Sequence, residues 1–323
     1  MIEYTPAKVA TSIPVIDLSA SLAGDAEVKS STAWEVHKAA RETGFFYISG
    51  HGVPSEVTEG ILEVSRRFFD LPTEDKLDAD INHSSCYRGY EPPAFQTLDT
   101  GSAADNKEGF QIGKDLGPDH PYVRRGLPNH GPNQWPAAMP ELKTVMEDYL
   151  LRMHDLAHHL TGLLALSLDL PENYFAPGYA EDAISSRLLY YPSQDGVGEG
   201  NQLGAGAHTD WGLITILLQD SIGGLEVADG NGDWIQAPPV DGTFVVNLGD
   251  LVPVMTNGLY LSNMHRVLNT AGARRYSVPT FYDLDYDYVA EAVPTTLAEG
   301  ESAPERITVG DHLTNMFRRT YTA

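Results

Sequence analysis

Cysteine is nearly absent from this chain: Cys86 is the single one in 323 residues. One thiol forbids an internal disulfide and leaves no thiolate set for a metal cluster within one chain. Cys86 is read as an ordinary buried thiol. Basic residues are scarce too, with 21 Lys and Arg against 45 Asp and Glu and a formal charge of −24. A phosphate-binding surface needs a basic stripe, and the nearest approaches are the short pairs Arg66-Arg67, Arg124-Arg125 and Arg318-Arg319. Nucleic acid and anionic membrane are excluded as partners on this ground, and the excess acid mainly implies solubility. No apolar run approaches a membrane span, and Met1-Ile2-Glu3-Tyr4-Thr5-Pro6 lacks the basic start and apolar stretch of a signal peptide. A cytoplasmic protein is expected.

What is present suffices for a large core: 42% of the residues are hydrophobic, enough for one compact unit over residues 1–323. Periodicity places helices early. Residues 26–43 read as an amphipathic helix closed by Gly44, Phe45 to Ser49 as a strand, and Pro54-Ser55-Glu56 opens a second helix that runs to Phe69. In residues 140–168 apolar positions recur at three and four, from Leu142 to Leu166, as a long helix packed outside a β core demands. Residues 87–136, rich in Gly, Pro, Asp and Asn, read as long loops over a barrel mouth.

From Ile184 onward short strand-like runs dominate: Leu188 to Tyr191, Leu213 to Leu218, Leu225 to Val227, Trp234 to Gln236, Phe244 to Asn247 and Ser277 to Tyr282. Asp229-Gly230-Asn231-Gly232 marks a hairpin turn. Evenly spaced short strands predict a mainly β fold with flanking helices, built on a double-sheet jelly roll.

Among these strands stand His208-Thr209-Asp210, then His265, then Arg275-Tyr276-Ser277. Chance alone supplies about one His-x-acid triplet in a chain of this composition, so the tripeptide carries weight only in company. In a strand, positions i and i+2 share a face, which would bring His208 and Asp210 to one metal and set Arg275 and Ser277 side by side. Two imidazoles and a carboxylate suit non-haem Fe(II) with open coordination positions, and an Arg beside a Ser suits a carboxylate. His154 and His158, four apart on the long helix, also have metal-binding spacing. No third ligand stands in register with them, so a second metal site is not expected.

The joint spacing resembles the 2-oxoglutarate/Fe(II)-dependent dioxygenases, in the branch that includes isopenicillin N synthase. Ile13-Pro14-Val15-Ile16-Asp17-Leu18, Gly44-Phe45-Phe46-Tyr47-Ile48, Gly50-His51-Gly52-Val53-Pro54 and Phe68-Phe69-Asp70-Leu71-Pro72 look like that branch's N-terminal segment. Tyr87-Arg88-Gly89-Tyr90, Lys107-Glu108-Gly109-Phe110, Asn247-Leu248-Gly249-Asp250, Thr256-Asn257-Gly258 and His265-Arg266-Val267 continue the match. The resemblance sharpens the fold to a double-stranded β-helix (jelly-roll, cupin-like) core at residues 184–284. An N-terminal segment at 12–120, a packing helix at 138–170 and a C-terminal segment at 285–323 would surround it.

The resemblance implies Fe(II) on His208, Asp210 and His265, 2-oxoglutarate as cosubstrate, O2 as oxidant, and succinate and CO2 as coproducts. It further implies that Arg275 and Ser277 hold the distal carboxylate of 2-oxoglutarate and that Tyr191 lines its pocket. One departure stands out: plant relatives often carry Asn two residues before that tyrosine, where this chain has Leu189. Arg88 lies where some relatives bind substrate, its alternative role being to brace its loop. Tyr90, Phe110, Gln111 and Trp211 are candidates for the pocket wall, with core packing as the alternative. Asn315, Phe317 and Arg318 are candidates to cover the mouth. The expected activity is oxidation of a small molecule by hydroxylation, desaturation or cyclisation. The alternatives are an oxidase of the isopenicillin N synthase or ACC-oxidase kind that does not use 2-oxoglutarate, and a non-catalytic barrel that binds a small acid or iron.

Overall fold

Strands form here where alternate side chains find cover on opposite faces of a sheet. The computed structural model describes residues 13–229, 232–301 and 306–321. Residues Met1 to Pro6 and the Gly230-Asn231 pair of the turn signal lie outside them. The first strands are β1 (Val15–Asp17), β2 (Phe45–Ser49), β3 (Gly89–Glu91) and β4 (Glu108–Gly113). Then follow β5 (Ala183–Tyr191), β6 (Ala205–His208), β7 (Ile214–Gln219), β8 (Leu225–Ala228) and β9 (Trp234–Gln236). The series ends with β10 (Phe244–Leu248), β11 (His265–Val267), β12 (Arg275–Asp283), β13 (Val289–Glu291) and β14 (Arg306–Thr308).

Eight of them make a major sheet in the order β1-β2-β10-β7-β12-β5-β4-β3, and a minor sheet runs β6-β11-β8-β9. Strand alternation partitions the core. On β10, Phe244, Val246 and Leu248 join the cluster under the helices, whereas Val245 joins Phe45, Tyr47, Tyr191, Leu225 and Val267 in a second cluster shared by the two sheets. Asn247 faces the same way as Val245, which puts an amide inside the sandwich. β3 and β4 fall in the stretch read as loops. The six residues of β4 pair antiparallel with β5, so this stretch extends the sheet. Glycines at both ends of Gly109-Phe110-Gln111-Ile112-Gly113 hid a run whose inward and outward residues do alternate.

Four helices of more than eight residues occur among the described residues: α1 (Ala26–Glu42), α2 (Ser55–Phe69), α3 (Glu141–Ser167) and α4 (Val309–Tyr321). The Asp25 side chain caps α1 by accepting from the Glu27 and Val28 amides. Gly44 ends it at φ +69°, and any side chain there would run into the Leu261 carbonyl. α3 buries Leu142, Met146, Met153, Leu156 and Leu160 against the major sheet and the other helices. Cys86 is a buried free thiol. None of the described helices is long and apolar enough to cross a membrane.

Candidate active site

β6 ends at His208, which pairs directly across from His265 of β11. The two imidazoles lie with ring centroids 4.2 Å apart, and His265 rests edge-on against Phe45 at 5.5 Å. Asp210 is past the end of the strand, contrary to the expectation that His208 and Asp210 share one. Side chains of the major sheet hold it instead. Asn247 Nδ2 and Thr215 Oγ1 donate to its Oδ2 at 2.7 and 2.6 Å. Its Oδ1 is left facing the imidazoles, 3.7 Å from His265 Nε2 and 3.9 Å from His208 Nε2. Those gaps are too long for hydrogen bonds and match the spread of donors around one small cation.

Protonation agrees with this geometry. His208 Nδ1 donates to the Gly206 carbonyl at 2.7 Å, which leaves Nε2 as a bare acceptor. Burial, with His265 alongside, pushes His208 down to about 3, so the ring is neutral and able to ligate. Burial alone would raise Asp210. The imidazoles of His265 and His208 and the bonds from Asn247 and Thr215 outweigh it and hold the carboxyl below its usual range. Two imidazoles and one carboxylate bordering a cavity fit Fe(II) that keeps exchangeable positions.

The cavity, about 150 Å³, takes its walls from both sheets. Every second residue of β12 faces it: Arg275, Ser277, Pro279, Phe281 and Asp283. Arg275 is completely buried. Its Nη1 donates to Ser277 Oγ and its Nη2 to Gln219 Oε1, both at 3.3 Å. Tyr191, its cross-strand partner, lies with its ring 4.8 Å below the guanidinium carbon. None of these contacts is a carboxylate. A buried cation with no counter-ion among the described residues is costly, so the site suits an incoming carboxylate such as the distal end of 2-oxoglutarate. Leu189, opposite Ser277, contributes apolar surface at the place where an Asn would have offered an amide.

Residues 13–138 match the family model for the N-terminal region of the non-haem dioxygenase in morphine synthesis, and residues 184–284 match that of the 2OG-Fe(II) oxygenase superfamily. The 2-oxoglutarate-Fe(II) type oxidoreductase hxnY of Emericella nidulans is 40% identical over 318 residues, covering 96% of this chain and 91% of that protein. The chain belongs to the 2OG-Fe(II) oxygenase superfamily. Homoarginine-6-hydroxylase 2-ODD-C23 of Glycine max is 36% identical over 319 residues, with 94% and 96% of the two chains covered. The crystal structure of a full-length Neurospora crassa protein in complex with alpha-KG and thymine matches at a TM-score of 0.82 and 31% identity, over 95% of this chain and 96% of that one. As a 2OG-Fe(II) oxygenase the protein uses Fe(II), 2-oxoglutarate and O2 to oxidise a small molecule, releasing succinate and CO2.

The candidates for the oxygenase's substrate wall divide. Gln111 and Trp211 line the cavity. Trp211 meets Phe317 edge-on at 5.3 Å, and its carbonyl lies 2.8 Å from His312 Nε2, so α4 closes that wall. Leu313 and Phe317 face in, whereas Asn315 and Arg318 are exposed and outside the lining. Arg88 is not a wall residue. It is fully buried and donates to the Asn129 side chain and, at 2.7 Å, to the Asn129 carbonyl. It braces its loop, and burial pushes its guanidinium down to about 10. Tyr90 and Phe110 also miss the cavity. They are cross-strand partners on the helix-facing side, opposite to Gln111, where Tyr90 donates to Glu108 and Phe110 packs on Phe68 at 4.8 Å.

Residues outside the expected set also touch Asp210 or line the cavity. Thr215 and Asn247 fix Asp210, and Arg187 and Asp283 reach the cavity. Counting by two from Arg275 along β12, or from Tyr191 along β5, would have found the last two. The long-helix pair His154 and His158 does acquire a carboxylate, from Asp182 just before β5.

Proposed function

We propose that His208, Asp210 and His265 hold Fe(II), that Arg275, Ser277 and Tyr191 hold 2-oxoglutarate, and that the small-molecule substrate lies against Gln111, Trp211 and Phe281. The observation that carries this reading is the division of labour on Asp210. Its Oδ2 is engaged by Asn247 and Thr215, while Oδ1 is left beside both imidazoles. When bound, iron and keto acid together supply the O2 activation and decarboxylation of the family. The chain supplies position. Gly206 fixes the tautomer of His208, Asn247 and Thr215 fix the free oxygen of Asp210, and Arg275 gives the cosubstrate's distal carboxylate a bidentate fork. Trp211, Leu313 and Phe317 shield the mouth from water. A cytoplasmic location is part of this proposal, in keeping with one buried thiol and no disulfide.

Metal removal tests it. EDTA is expected to abolish turnover and leave the cooperative melting transition in place, because the barrel has its own core; unfolding on chelation would make the metal structural. Oxygen uptake with no succinate from 2-oxoglutarate would sink the cosubstrate assignment and favour an oxidase.

A further inference from the structure

Asp283 closes the cavity-facing row of β12 at the end opposite Arg275. Eight residue steps of extended chain separate the two by roughly 26 Å, so Asp283 has no part in the cosubstrate clamp. Phe281, two residues before it, pairs with Thr215, which holds Asp210. The Asp283 end is therefore the one that adjoins the metal ligands from the substrate side.

The carboxylate is 6% exposed and lines the cavity. Its Oδ1 accepts the Leu213 amide at 2.8 Å, and among the described residues no other donor and no cation reaches it. Burial raises its pKa to about 7, the Leu213 bond pulling down and Asp210 pushing up. A carboxylate has acceptor capacity for several donors, and a buried one left short of them carries a desolvation cost. The cations of the same wall are each matched already. Arg187 pairs with Glu91 and donates to Gln96 at 3.1 Å, and Lys107 pairs with Asp105 at 2.5 Å. The unmatched charge on the substrate side is thus an acceptor. Gly212 makes room for it, since a Cβ there would run into both carboxylate oxygens.

We propose that Asp283 anchors the substrate, and that the substrate is a nitrogen-bearing small molecule presenting an amine or amidine N–H to this carboxylate while its carbon skeleton lies against Trp211 and Phe281. This rests on reading the cavity as the oxygenase's substrate site. Holding Leu213 needs Oδ1 alone, so the other oxygen is the one a ligand meets.

Benzamidine, benzamide and benzoate share a shape and differ in the donors they offer. Calorimetry on the Fe(II) enzyme without O2, with 2-oxoglutarate saturating so that the Arg275 clamp is filled, ranks them. Benzamidine is expected to bind at least ten-fold more tightly than benzoate, with benzamide between. Asp283→Asn is expected to lower benzamidine affinity at least ten-fold and to leave 2-oxoglutarate affinity unchanged. The wild-type ranking stands without any variant, should the substitution impair folding. Benzoate binding as tightly as benzamidine, no benzamidine binding at millimolar concentration, or an affinity indifferent to Asp283→Asn overturns the proposal. Failure of the wild type to bind 2-oxoglutarate would instead strike the cosubstrate assignment, so the two failures are separately visible.

Discussion

His208, Asp210 and His265 on one side of the molecule, and His154, His158 and Asp182 on another, each bring three potential ligand atoms within 4.8 Å of one another. The residue types are identical and the surroundings differ. Asp182 has a fully buried side chain that already receives four donors. His154 and His158 donate to Oδ2 at 2.9 and 2.6 Å, Tyr282 donates to it at 2.9 Å, and the Lys114 ammonium is bonded to Oδ1. Burial would raise this carboxyl, but the bonds from His154, His158 and Lys114 hold it far below its ordinary range. Its charge is compensated inside the protein. In the other cluster the histidine nitrogens stay beyond hydrogen-bond distance of Asp210, and Lys107, which lines the same cavity, is paired with Asp105 instead. Ligand types and proximity alone do not suit a group of residues to a metal; what separates the two clusters is whether the carboxylate is already satisfied by donors of the protein.

The comparison breaks most visibly at its two aspartates. Asp210→Ala is expected to remove iron binding and to lower turnover by more than about 10³-fold with the fold kept, checked by metal analysis and succinate release. Asp182→Ala should do the reverse, retaining iron per chain while costing about 2–3 kcal/mol of unfolding free energy in urea, because Lys114 and two imidazoles, each about a quarter to a third exposed, lose their shared acceptor. The sign with pH follows. Asp182 is depressed in the folded state, so its contribution is present above the ordinary carboxylate range and lost as pH falls below it. Wild type and Asp182→Ala should therefore converge in stability toward acid.

Smaller effects sharpen the contrast around the cosubstrate. Arg275→Leu should raise the KM for 2-oxoglutarate by the equivalent of about 1.5–3 kcal/mol, with iron content unchanged; an unaltered KM would remove Arg275 from the clamp. Tyr191→Phe keeps the ring under Arg275 and loses only the phenol. It should cost about 1 kcal/mol on the same KM, and no change would leave Tyr191 a packing residue.

The sequence made the active site legible to the extent that its residues lie on paired strands counted by two. The 208, 265, 275 and 277 positions stand out through their resemblance to the dioxygenases, and the structure brings all four to one cavity; β2, α2 and β9 fall within a residue of where periodicity places them. Alternation predicts Asp210 in a strand that in fact stops at His208, because its support comes from β7 and β10, which are distant in sequence. Asp182 escaped for the same reason, since a helix pair and its partner carboxylate belong to different elements. Place in the chain points Arg88, Tyr90 and Phe110 to the pocket, whereas the β3–β4 register turns Tyr90 and Phe110 to the helical side and Asn129 ties Arg88 down. Asp283 was readable by alternation once β12 was known to extend past Tyr282.

The most direct test of the account is an anaerobic titration of metal-free protein with Fe(II) and then 2-oxoglutarate, followed by the visible charge-transfer band of a chelated keto acid. The band is expected at one iron per chain in the wild type and in Asp182→Ala, and is expected to be lost in Asp210→Ala. A band that survives Asp210→Ala, or depends on Asp182, would contradict the account.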